Sequence, residues 1–379
     1  MAMGVSPIQL AVVGGGVIGA ACARAAAARG LQVTLFAPGP DPAAASAASA
    51  GMLAAQIEPT DAAMLPLAVR GRDLYEDLAA SLKDTTGLDI GFRHTGILTV
   101  AYEDPELAAL FDRVAEQRQA GLRCDWLDAA ELHERWPGIA PGAWGALFAP
   151  EDGSLDPKQL HAALLADAQR LGATLNPGKI GNVTITAGRV SSVGVAGSRS
   201  RIPVEHVVIA AGVWSARIAG LPRPLPVEPV RGQLVATAWP VGVPAAIVYH
   251  GEGYVLPRGD EAILGSTMER VGFDARTTAS AVDQIRSATA RLCPALASLP
   301  AHRAWAGLRP VTPDGRPVIG PDPDVGGLWY ATGHGRNGIL LAAITGEIIG
   351  DLLAAGRTEV DISQFAVERF DTERQTADG

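Results

Sequence analysis

A chain of 379 residues with 48% hydrophobic and 19% charged residues has the balance of a globular protein with a large core and room for two compact regions. Its 40 acidic residues against 31 basic ones leave a formal charge of −9, and no basic run offers a nucleic-acid backbone the clustered positive charge it needs. Cys22, Cys124 and Cys293 are odd in number and widely spaced, which fits neither a disulfide framework nor a metal site and suits a reducing, cytoplasmic compartment.

The apolar N-terminal stretch is interrupted by "GGGVIG" and followed by Arg24 and Arg29, so it reads as neither a signal peptide nor a transmembrane segment. "QLAVVGGG" is a buried parallel strand running into a tight turn. "VIGAACARAAAARG" is an alanine-rich helix closing at Gly30, and "LQVTLFA" is a second strand. Within this βαβ unit, Gly14, Gly16 and Gly19 form G-x-G-x-x-G. Gly14 permits the turn, Gly16 lets a pyrophosphate approach the backbone, and Gly19 lets the helix pack on the strand. The phosphates then sit at the helix start, against Val17 and Ile18, where free N–H groups and the helix dipole favour negative charge. The acidic residue that ordinarily closes the second strand and holds a ribose is missing. Ala37 stands there, with Asp41 a few residues on, so either Asp41 bends back or water and backbone groups serve.

Further along, "DGSLDPKQLHAALLADAQRLGA" opens a helix with Asp156 as N-cap and Pro157 in the first helical position. "TGILTVAY", "RGQLVATAW" and "EAILGSTM" are strand-like, and "LPRPLPVEPVRGQ" is a stiff, proline-rich crossing. "LWYATG" is another strand, and "GILLAAITGEIIGDLLAAG" is a helix closing at Gly356.

Four ordered motifs carry a resemblance: "SAASAGMLAAQIEP" (46–59), "HVVIAAGVWS" (206–215), "WAGLRPVTPDGRPVIG" (305–320) and "LWYATGHGRNGILLAAITGEIIGDLL" (328–353). Together they are similar to the D-amino acid oxidase and glycine oxidase family of FAD-dependent oxidoreductases. The likeness to glycine oxidases of the thiamin-pathway type runs along essentially the whole chain. It implies an α/β fold: an FAD-binding Rossmann-like domain of glutathione-reductase type with a second, mostly antiparallel β substrate domain. The FAD domain is expected to be discontinuous, from residues 1–85, 150–222 and 305–365. Residues 86–149 and 223–304 then form the substrate domain, and 366–379 a frayed polar tail.

The resemblance also implies site residues. Arg309 captures the substrate carboxylate with its forked donors, unless it merely pairs with Asp314; Tyr254 helps hold the same carboxylate. FAD contacts are expected at Gly14, Gly16, Val17, Ile18, Gly19, Ser46, Gly51, Met52, Ile180, Gly212, Arg336, Asn337, Gly338 and Ile339. His334 orders its loop or acts directly, whereas Tyr249 and His250 read as loop surface. No cysteine lies near Arg309, so the flavin is expected to be noncovalent. The expected substrate is a small amino acid (glycine, sarcosine or a small D-amino acid), with oxygen or another electron acceptor. A dehydrogenase of the same fold and a flavin-binding partner protein without turnover are the alternatives. No metal is expected, and a homo-oligomer is compatible with the sequence.

Overall fold

The computed structural model describes residues 8–39, 41–57, 61–251 and 253–371. The start of the first expected segment, the end of the 46–59 motif, Glu252 and most of the tail lie outside these described residues.

The first sheet contains β1 (Ile8–Val13), β2 (Val33–Phe36), β8 (Thr174–Asn176), β11 (Arg201–Ile209), β17 (Val318–Pro321) and β18 (Leu328–Thr332), in the order β17-β18-β11-β1-β2-β8. All neighbours are parallel except β17 against β18. A hairpin of β9 (Ile180–Thr186) and β10 (Arg189–Val195) attaches antiparallel to β11. From Leu10 to Val13 strand β1 is apolar and buried because both of its faces are covered. Leu10 and Val12 pack on the helical side, and Ala11 and Val13 on the other.

The helical side holds α1 (Val17–Ala28), α3 (Met64–Asp73), α4 (Tyr75–Thr86), α7 (Pro157–Arg170) and α9 (Gly338–Ala355). Small residues let α1 and α9 approach closely: a Cβ on Gly346 would lie 2.8 Å from the Ala21 carbonyl oxygen. Helix α7 starts as the sequence indicates, with the Asp156 side chain accepting the Lys158 and Gln159 N–H groups. Helix α9 is long and apolar enough to cross a membrane by length and composition, yet it is the buried centre of this layer, packed on α1 and α3.

The second sheet runs β16 (Arg303–Val311), β12 (Glu228–Ala238), β15 (Glu261–Gly265), β14 (Gly253–Arg258), β13 (Ile247–His250), β4 (Ile97–Ala101), β6 (Gly145–Ala149) and β5 (Asp125–Asp128). Every pairing is antiparallel except β13 with β4. One face packs on α6 (Ala129–Arg135) and α8 (Ala279–Leu292). The other takes α5 (Asp104–Gln119) and residues 50–57. A short ladder of β3 (Met52–Leu53) with β7 (Gly153–Ser154), preceded by the single turn α2 (Ala45–Ala48), lies between the two sheets.

Two expectations are corrected. Residues from 305 onward do not rejoin the first sheet at once. Strand β16 stays in the second sheet, in register with β12 from Glu228 opposite Val311 to Ala236 opposite Arg303, and the return comes at β17. The tail does not fray from 366. Residues Val367–Phe370 form a 3₁₀ turn with Val367 buried, Arg369 pairs with Asp314 at 2.8 Å, and Asp371 pairs with Arg223.

Candidate active site

The chain leaves β1 at Val13, turns through Gly14 at φ 115° and enters α1 at Val17. The turn leaves no room for side chains. A Cβ on Gly14 would lie 2.4 Å from the Ala210 carbonyl oxygen, and one on Gly19 would lie 1.8 Å from that of Gly14. Beside Gly16 the nearest atom to such a Cβ is Ser46 Oγ, at 3.1 Å. Ser46 Oγ accepts the Val17 N–H at 3.0 Å. The Ala20 N–H returns to the Gly16 carbonyl, so Ile18 and Gly19 present first-turn N–H groups that have no acceptor within the helix. Gly212 opens a 3₁₀ turn, Gly212–Arg217, just beyond β11, where Ala210 and Ala211 abut Gly14. Ile180 is buried at the start of β9 in the core that holds Val13, Phe36 and Ile209.

Ala37 ends β2 by donating its N–H to the Asn176 carbonyl at 2.8 Å. Asp41 is exposed and caps its own turn, with Oδ1 accepting the Ala43 N–H at 2.9 Å. A contact unseen in the sequence reaches the glycine loop instead. His161, on α7, donates from Nε2 to the Gly15 carbonyl oxygen at 2.6 Å.

A second helix start lies at α9. Asn337 is its N-cap residue, buried, and its Oδ1 has no hydrogen-bond partner within the protein. Gly338 and Ile339 supply first-turn N–H groups beside it. His334 is buried with Nε2 3.0 Å from Thr345 Oγ1, and burial pushes its imidazole down to about 3. It is therefore neutral and ties the 333–337 loop to α9. Two helix starts, a glycine turn closed to side chains and an unmatched buried amide oxygen fit a long, anionic, hydrogen-bonding cofactor such as FAD.

Between these features and the second sheet lies a pocket. Its walls are the 45–52 segment with Gly51 and Met52, together with Gly232, Leu234, Tyr254, Ser266, Gly307, Arg309 and Arg336. The 43–52 segment is stitched to the second sheet: the Leu308 N–H donates to Ala43 O at 2.9 Å, Trp305 Nε1 to Ala48 O at 3.0 Å, and the Arg258 guanidinium to Ala50 O. The same segment supplies Ser46 to α1, so one stretch of chain connects the glycine cradle with the pocket.

Arg309, on β16, is steered by Nη1 donating to the Thr267 carbonyl at 2.9 Å and Nη2 to Ser266 Oγ at 3.0 Å. Asp314 is taken by Arg369, so the structural pairing of Arg309 with Asp314 does not occur. Tyr254 lies opposite Tyr249 across β14 and β13, with ring centroids 6.4 Å apart and planes 8° apart. Arg336 Nη2 donates to the Tyr249 hydroxyl at 3.1 Å. Tyr249 and His250 are thus half-buried strand residues and not loop surface; His250 Nε2 lies 2.7 Å from Glu106 Oε1.

A different cleft opens among α1, α4, α7 and α9 and includes Arg24 and Glu347. Both are already paired, with Asp167 and Arg29 respectively, and no residue of the glycine turn lines the cleft.

A family model described as DAO, FAD dependent oxidoreductase, matches residues 9–352. The chain belongs to this family, and FAD is its cofactor. It is 35% identical to the glycine oxidase of Geobacillus kaustophilus over 95% of this chain and 97% of that protein. The crystal structure of glycine oxidase from that organism superposes with a TM-score of 0.90 at 34% identity, covering 95% of this chain and 98% of the other. The chain is also 37% identical to the bifunctional protein ThiO/ThiG of Trichormus variabilis, over 97% of its own length but 56% of that relative's. It thus spans little more than half of the bifunctional relatives it matches.

Proposed function

We propose that this chain catalyses the oxidative deamination of a small amino acid, with glycine, sarcosine or a small D-amino acid as substrate and oxygen as acceptor. The products are a keto acid, ammonia or an amine, and hydrogen peroxide. The observation that carries this reading is Arg309, held by Ser266 and Thr267 in a pocket whose other walls are mostly small residues. The relatives named glycine oxidase support it.

FAD held in this cradle would supply the hydride acceptor for the substrate Cα–H. The chain's own part is placement. The Arg309 fork takes the carboxylate, and the Tyr254 hydroxyl assists it. Ala45, Ala48, Ala50, Gly51 and Gly307 keep the wall close to a small substrate. Among the described residues the wall contains no carboxylate or imidazole. Gly14, Gly16, Ser46 and the first turn of α1 hold the pyrophosphate. Gly51, Met52 and the first turn of α9 flank the ring system, and Ile180 and Gly212 line the adenosine side. Cys22, Cys124 and Cys293 are buried and none lines the pocket, which supports noncovalent attachment.

The test is the flavin spectrum under anaerobic addition of glycine, sarcosine and small D-amino acids, followed by air. Bleaching with rapid recovery in air is expected. Bleaching without recovery means a dehydrogenase using another acceptor, and no bleaching by any of them overturns the substrate assignment. Arg309→Ala is expected to lose substrate affinity strongly while keeping its flavin.

A further inference from the structure

Strand β12 pairs with β15 as far as Leu234 opposite Gly265, and the next pair along is Arg231 opposite Glu269. Between these pairs β12 has Gly232 and Gln233, whereas the facing chain has Ser266, Thr267 and Met268. The extra residue makes a β-bulge, which breaks the ladder locally and re-aims the groups within it. Here those groups hold Arg309, whose Nη1 donates to the Thr267 carbonyl and Nη2 to Ser266 Oγ. In an unbroken ladder the Gln233 N–H would meet a main-chain carbonyl. It meets Thr267 Oγ1 instead, at 3.0 Å. A side-chain oxygen thus stands in for the carbonyl, and the carbonyl is turned to the guanidinium.

A buried polar cluster holds the bulge in place. Gln233 is fully buried. Its Oε1 accepts the Thr278 N–H at 2.8 Å, and its Nε2 donates to Glu269 Oε1 at 2.7 Å and to Thr278 Oγ1 at 3.3 Å. The other Glu269 oxygen accepts Arg231 Nε at 3.1 Å, and the two residues exchange main-chain bonds of 2.8 and 3.0 Å. Thr278 is the N-cap of α8, its hydroxyl accepting the Ala281 N–H. Gln233 therefore ties together the bulge at Thr267, the end of the bulge at Glu269 and the start of α8. Each polar atom of its amide has a partner, which gives the side chain one orientation.

We propose that Gln233 is a positioning residue for the substrate carboxylate: its main-chain N–H and its amide fix the bulge at residues 266–268, and the bulge fixes the fork of Arg309. Gln233 is not among the residues that line the pocket, so it acts through Arg309. The proposal rests on the reading of Arg309 as the carboxylate clamp.

The test is a double-substitution cycle on the FAD-loaded protein, with glycine and sarcosine as substrates and acetate as a non-reacting acid followed by the flavin absorption. Gln233→Met keeps the volume and removes the amide. It is expected to lower kcat/KM about tenfold through KM and to weaken acetate binding by a similar factor. The limiting rate of flavin reduction is expected to stay within about twofold of wild type. In an Arg309→Ala background there is no fork to position, and the same substitution is expected to change kcat/KM by less than about twofold. An equal loss in both backgrounds marks a general loosening of the sheet and overturns the proposal, as does Gln233→Met with wild-type KM and acetate affinity. Thr267→Val removes the oxygen that accepts the Gln233 N–H and is expected to raise KM, whereas Thr267→Ser keeps that oxygen and most of the wild-type KM. This pair decides the matter where Gln233→Met does not fold, and equal KM values for the two overturn the proposal. Failure of the underlying reading shows elsewhere and takes the proposal with it: acetate leaves the wild-type spectrum unmoved, glycine and sarcosine leave its flavin oxidised, or Arg309→Ala keeps the wild-type KM.

Discussion

Gly232 and Arg309 sit on neighbouring strands so close that a Cβ at Gly232 would lie 2.0 Å from Arg309 Nη1 and 2.3 Å from its Cζ. The backbone at Gly232 is ordinary extended strand, so alanine there meets no conformational barrier. The nearest atoms it meets are those of the guanidinium, the mobile end of a side chain. Gly232→Ala is therefore expected to fold and to retain FAD while displacing Arg309 from Ser266 and Thr267. Losing a charge-assisted carboxylate contact costs about 2 kcal/mol, or roughly 30-fold in affinity. Steady-state kinetics that show KM raised at least tenfold, with flavin content unchanged, match this expectation; an unchanged KM would mean that the pocket does not use Arg309 in this position.

His161 and Gly15 are distant in sequence but joined at 2.6 Å through the imidazole and the loop carbonyl. Fixing that carbonyl fixes the peptide that leads into Gly16 and the first turn of α1. The contribution matters more here because Ala37 replaces the acidic residue and Asp41 is spent on its own turn. His161→Ala is expected to weaken FAD retention by up to about tenfold, the worth of one partly buried hydrogen bond. Release of flavin on dialysis and titration of the apoprotein by fluorescence quenching measure it. Equal retention in the variant would remove His161 from the cradle.

These two contacts also show what sequence reading reaches. The glycine turn, Ser46 and the α9 start are local patterns in which a few adjacent residues determine both backbone and purpose, and the structure brings them together around one cradle and one pocket. Gly232, Ser266 and Thr267 were invisible because their use depends on strand register: Gly232 faces Gly307 only through the long β12–β16 ladder. The same ladder explains why the boundary expected at residue 305 falls inside a strand of the second sheet, since a strand and its return look alike until the pairing is known. Asp314 looked like a partner for Arg309 by nearness in sequence, and it was the docked tail, through Arg369, that claimed it.

His334 is buried against Thr345 with its imidazole pushed down to about 3 by loss of solvation. The unfolded chain takes up a proton near its ordinary value of 6.5, and the folded chain does not. This group's stability contribution is therefore present above pH 6.5 and is lost as the pH falls towards 3. His334→Gln keeps a donor near Thr345 without titrating. Denaturant melts at pH 7.5 and pH 5 are expected to show wild type losing more stability than the variant over that interval. Parallel losses would mean that the imidazole is protonated in place.

Arg72 and Asp152 form a buried pair at 3.1 Å, 2% and 0% exposed, in a network with Gln56 that anchors α3 to the turn joining β6 and β7. Arg72 also reaches Glu151 and Asp73, so removing Asp152 does not strand it entirely. Asp152→Ala is expected to cost about 3 kcal/mol, the low end for breaking a buried pair. Titration separates this network from His334. Burial outweighs the Arg72 attraction and raises the Asp152 carboxyl to about 7 from an ordinary 3.8. A raised carboxyl favours the folded state below 3.8, and that advantage is lost as the pH rises through about 7. The two groups thus oppose each other over most of the same window, and the wild-type profile hides both. Asp152→Asn removes one of them. Its stability relative to wild type is expected to rise from pH 4.5 to pH 7.5, the reverse of the trend for His334→Gln, which should lose ground against wild type as the pH rises from 5 to 7.5. A stability difference for Asp152→Asn that stays constant across that range would show that Arg72 keeps Asp152 ionised throughout.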